Sequence, residues 1–68
     1  MKKIGIILSD GFEEMEAISV IDILRRAGIS VEVLGIDNTT ITGAHGLPII
    51  ADDKFDYYLH ICDLWNVL

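Results

Sequence analysis

Three glutamates crowd one short stretch of this chain: Glu13, Glu14 and Glu16, within Leu8-Ser9-Asp10-Gly11-Phe12-Glu13-Glu14-Met15-Glu16-Ala17. Glu16 is the candidate for proton chemistry. At helical spacing it falls in line with Val20, Ile23 and Ala27, and a carboxyl set among apolar groups is suited to hold or donate a proton. Glu13 and Glu14 read as solvated first-turn acids that favour the helix dipole. Covalent chemistry also needs an activated nucleophile, and none with a matching base stands in the 68 residues. The single cysteine, Cys62, precedes an expected strand and reads as a small packing residue. His60 and Cys62 give two ligands where structural zinc takes four, so no metal is expected. No Walker loop or G-x-G-x-x-G pattern is present, and no cofactor is expected.

These residues need elements to hold them. Lys3 to Leu8 is a short apolar run, as in a strand covered on both faces. Ser9-Asp10-Gly11 ends it, with Gly11 serving the turn, and Asp10 and Glu13 stand at capping-box spacing. A helix follows to about Ala27, stopped by Gly28. Ala17, Val20, Ile21, Leu24 and Gly28 make its apolar stripe, and Asp22 with Arg26 an i,i+4 ion pair. The apolar sector is too wide for one contact, which predicts packing on a sheet and against something else. Ser30 to Ile36 is the next strand, completing a βαβ unit and implying a parallel sheet. After a turn at 37–40, Ile41-Thr42-Gly43 and Leu47-Pro48-Ile49-Ile50 read as short strands around the Gly43-Ala44-His45-Gly46 turn, with Pro48 marking an edge. Asp52 to about His60 is expected to be a short helix, and Asp63 to Leu68 the start of another strand with Trp65 in the core. In such sheets ligands bind beyond the carboxyl ends of the strands, which puts the Ser9-Asp10-Gly11 turn and Glu16 at the expected site.

Composition narrows the function classes. Eleven acids against five Lys and Arg give a net charge of −6, which disfavours nucleic acid and anionic membranes as partners. No run approaches the roughly 20 apolar residues of a membrane span, and Ile4 to Leu8 is too short for a signal peptide, so a cytoplasmic protein is expected. The chain is 51% hydrophobic with a mean hydropathy of +0.47, rich for one small domain and fitting part of a larger body.

Three motifs carry a resemblance: Asp10-Gly11-Phe12-Glu13-Glu14-Met15-Glu16-Ala17, Asp22-Ile23-Leu24-Arg25-Arg26-Ala27-Gly28, and Ile41-Thr42-Gly43-Ala44-His45-Gly46. In this order and spacing they resemble the N-terminal part of the ThiJ/PfpI family, whose members include a deglycase and proteins labelled as thiazole monophosphate biosynthesis enzymes. The resemblance implies an α/β, flavodoxin-like (class I glutamine amidotransferase-like), doubly wound and mostly parallel sheet, of which residues 1–68 form the N-terminal portion. It implies a nucleophilic cysteine on a strand-to-helix elbow and a Pro-Gly-Gly loop, neither found among these residues, and hence a truncated chain.

By position, Glu16 matches the acid that contacts the family cysteine through a protonated carboxyl. Asp10, Gly11 and His45 match the substrate and oxyanion vicinity, and Met15 and Arg26 match the dimer contact. His45 itself reads as structural or interfacial before it reads as a general base. The complete protein is then expected to be a homodimeric, cysteine-dependent glyoxalase or deglycase acting on small reactive aldehydes. The competing reading is a non-catalytic fragment that oligomerises or binds, or has no independent function.

Overall fold

In a computed structural model of the chain, residues 3–56 are described, together with the backbone of 66–67. The core unit is β1 (Lys3–Leu8), α1 (Glu14–Arg26) and β2 (Ser30–Gly35). β1 and β2 pair in parallel from Lys3↔Ser30 to Leu8↔Gly35. The expected βαβ unit is therefore present, and the α/β class with it. β3 (Thr40–Thr42) and β4 (Pro48–Ile50) form an antiparallel hairpin apart from the main sheet. β5 (Asp53–Lys54) returns beside β2, and β6 (Asn66–Val67) lies beside β1, both in parallel. The order β5-β2-β1-β6 contains β2-β1-β6, which is how a flavodoxin-type sheet begins.

Strand alternation divides the side chains. Ile4, Ile6 and Leu8 of β1 join Val31 and Val33 of β2 on the face that meets Ala17, Ile21 and Leu24 of α1. Ile41, Ile49 and Ala51 close this core from the hairpin side. Leu34 alternates to the opposite face and is fully buried there.

The helix ends follow local chemistry. At the C-terminus Gly28 takes φ +80°, its N–H donates to the Arg25 carbonyl (3.0 Å), and the Ile29 N–H donates to Leu24 (3.1 Å). This is a Schellman close, made cheap by glycine. At the N-terminus the expectation needs correcting. Glu13, not Asp10, is the N-cap, and its Oε1 accepts from the N–H of Met15 (2.7 Å) and of Glu16 (3.4 Å). The Asp10 carboxylate accepts instead from the Thr42 N–H on β3 (3.0 Å), so tertiary pairing overrides the capping-box spacing.

Three further readings change. Val20 is exposed, so the stripe that packs on the core is Ala17, Ile21 and Leu24, each half-buried, and it is narrower than the pattern implied. Asp53–Lys54 is strand rather than helix, because the backbone continues β2's ladder: the Asp52 N–H donates to Val33 (2.8 Å) and the Phe55 N–H to Gly35 (2.8 Å). The remainder of that expected helix, through about His60, lies outside the described residues, as do Cys62 and Trp65, while Asn66–Val67 of the expected 63–68 strand forms β6. Glu14 is the third correction, and it belongs to the site.

Candidate functional site

The site forms where β1 ends. Beyond Leu8 the chain turns through Gly11, whose φ of +91° suits glycine, and enters α1. In the order β2-β1-β6, this end of β1 stands at the point where successive connections leave β1 in opposite directions, the usual place for a ligand in such sheets.

The hairpin is tied to this corner by backbone and by two carboxylates. The Gly11 N–H donates to the Thr42 carbonyl (2.8 Å) and the Ala44 N–H to Phe12 (2.8 Å). Asp10 holds the Thr42 N–H, as described above. Glu14 does more. Its Oε2 accepts from the N–H of His45 (2.7 Å) and of Leu47 (3.3 Å), and its Oε1 lies 2.9 Å from His45 Nδ1. The reading of Glu14 as a solvated acid is thus overturned: the residue is 9% exposed and gathers three donors from one loop. Gly43 makes this approach possible, since a Cβ there would collide with the Glu14 carboxyl.

These contacts set the electrostatics. The hydrogen bond from His45 is the chief cause that holds the Glu14 carboxyl at about 2, against an ordinary 4.5, helped by the backbone N–H groups and opposed by burial. The same bond, with the negative charges of Glu14 and then Glu13, raises the His45 imidazole above its ordinary 6.5. The His45 side chain stays 77% exposed, so one ring nitrogen is held and the other edge faces outward.

The three acids therefore divide. Glu13 caps the helix and Glu14 binds the hairpin loop. Glu16 lies two residues past Glu14, about 200° around the helix axis. It is exposed, and among the described residues its carboxylate has no hydrogen-bond or ion-pair partner.

The structure brings Asp10, Gly11 and the His45 loop together around Thr42 and Glu14, while Glu16, Met15 and Arg26 stand apart from that cluster. Met15 is 76% exposed on the outer side of α1. Arg26 lies in the last turn, about 15 Å along the axis from Glu16, and pairs with Asp22 as expected (Nε to Oδ2, 3.1 Å). Glu14 is the residue that sequence reasoning missed. Its partners are 31 and 33 positions away, and no local spacing signals them. Among the described residues no cluster of His, Cys, Asp and Glu could hold a metal ion, and no helix is long and apolar enough to cross a membrane.

Comparison with known proteins gives a consistent result. Residues 2–63 match the DJ-1/PfpI family. Protein dj-1beta of Drosophila melanogaster is 42% identical over 75% of this chain and 32% of its own length. Protein DJ-1 homolog B of Arabidopsis thaliana is 38% identical over 75% of this chain and 12% of its own. Among solved structures, a cysteine-to-alanine mutant of a DJ-1 superfamily protein from Salmonella typhimurium superposes with a TM-score of 0.76 at 44% identity, covering 79% of this chain and 30% of that one. Oxidized DJ-1 of Toxoplasma gondii gives 0.76 at 34% identity, with the same coverage. The chain spans a third or less of the length of these relatives and carries the corresponding part of their flavodoxin-like fold. It belongs to the DJ-1/PfpI family.

Proposed function

We propose that this segment supplies the acid half of a cysteine-dependent site that acts on small reactive aldehydes such as methylglyoxal, or on their adducts. The observation that carries the reading is the division of labour among three neighbouring acids. Glu13 and Glu14 are spent on structure, and Glu16 alone is left open at the carboxyl end of β1. In this reading a cysteine from the rest of the family fold faces Glu16. Covered by the rest of the fold, the Glu16 carboxyl is neutral and donates a hydrogen bond to sulfur, which favours the thiolate. The thiolate adds to the aldehyde carbon, the carbonyl π pair moves to oxygen, and that oxygen takes a proton to give a hemithioacetal. Asp10, Gly11 and His45 border the approach to this centre. A second copy of the chain covers the outer side of α1 through Met15 and Arg26, making a homodimer, and the protein is cytoplasmic.

The test is methylglyoxal consumption by the whole protein that carries this segment. Glu16→Gln keeps the shape and removes the acid, and turnover is expected to fall by about 100-fold, within the usual span for a positioned acid. Undiminished turnover would overturn the proposal.

A second reading, a non-catalytic piece that associates through apolar surface, is favoured by the exposure of Met15, Ile23 (63%) and Ile50 (81%). Concentration-dependent association of the 68-residue chain in sedimentation, together with unchanged turnover in the Glu16→Gln protein, would select it.

A further inference from the structure

The most organised polar feature of the chain is not the open acid but the closed one. Glu14 sits at the first position of α1 and reaches a loop that belongs to neither the main sheet nor the helix. The β3–β4 turn wraps the carboxylate on three sides: the His45 N–H, the Leu47 N–H and the His45 ring. Inside the turn the Gly43 N–H donates to Leu47 (2.9 Å) and the Gly46 N–H to Gly43 (3.0 Å), so the loop presents its donors as a unit. We infer that Glu14 and His45 form a charge-dependent latch that docks the 43–47 loop onto the start of α1 and loosens when the imidazole loses its proton.

Among the described residues, the groups that bear on this latch are few. From α1 and its cap, Glu14 touches His45 and Glu13 acts on it from farther off. From the β1–α1 turn, Asp10 engages Thr42, the residue just before the 43–47 loop. On the hairpin itself, from Thr40 to Ala51, His45 is the sole titratable residue. A protonated imidazole gives Glu14 a cation as well as a hydrogen bond, whereas a neutral ring keeps at most the hydrogen bond. The two backbone N–H bonds do not titrate, so loss of the charge weakens the dock without abolishing it. His45 is thus a positioning residue for the loop that borders the site.

Imidazole titration and amide exchange in the full chain, followed by NMR, test the latch separately from any turnover at Glu16. The His45 ring is expected to titrate above its ordinary range, and Glu14→Gln to bring it down. Exchange at the His45 and Leu47 amides, corrected for base catalysis, is expected to rise about twofold to fivefold as pH climbs through that titration, the range of an exposed ion pair. His45→Asn should abolish this rise. The His45 side chain is mostly exposed, so that variant keeps the fold even where Glu14→Gln does not. A His45 ring that titrates alike with and without Glu14, or loop exchange as pH-dependent in His45→Asn as in the parent, would overturn the inference.

Discussion

At the scale of single residues, adjacent acids of the same type have different fates. Glu14 and Glu16 are both helix-opening glutamates, and a pattern of apolar neighbours singles out Glu16. What separates them in the structure is the hairpin, whose loop amides converge on Glu14 and leave Glu16 open. The pair of shifts has a signed consequence for stability. Glu14 titrates lower in the folded chain than in the unfolded one, so its contribution is present above pH 4.5 and lost as pH falls through about 2. His45 titrates higher when folded, so its contribution is full below pH 6.5 and lost as pH rises through its folded value. Urea unfolding midpoints between pH 4 and pH 9 are expected to decline on the alkaline side for the parent and to stay flatter for His45→Asn. Equal alkaline declines would place the effect elsewhere.

At the scale of elements, the sheet rests on β2, which lies between β1 and β5 and carries the fully buried Leu34. Truncating it leaves a cavity, and Leu34→Ala is expected to cost about 3 kcal/mol, a large part of what a chain this short commands. Ile50→Ala, at a position 81% exposed, should stay within about 0.5 kcal/mol. Denaturant midpoints of the two variants check the contrast. The elements that were legible in the sequence are those with local causes. Apolar runs marked β1 and β2, Gly28 marked the close of α1, and Gly43 with Gly46 marked the hairpin turn. The ones that were not legible depend on distant partners. Asp10 is at capping distance yet bonds Thr42, and Asp53–Lys54 extends as strand because β2 offers it a ladder. The narrowing of the helix stripe has the same origin, since only contact with the sheet decides which apolar residues are covered.

At the scale of the molecule, the described part has a helix on one face of the sheet and a hairpin at its carboxyl edge. The extents of 34 × 27 × 15 Å are those of a thin plate. Met15, Ile18, Val20 and Ile23 remain exposed on α1, and the proposed homodimer would cover them. Ile23→Lys is expected to weaken concentration-dependent association in sedimentation while leaving the circular dichroism spectrum unchanged. Association that is indifferent to this charge would remove α1 from the contact.

The space inside the hairpin turn is filled by the Glu14 carboxyl, with no room for a methyl group at Gly43. The side chains allowed at two positions 29 apart are therefore sterically coupled. Among relatives, glycine at the one should travel with glutamate at the other, and a chain that gains a side chain in the turn should have a shorter residue at the helix start.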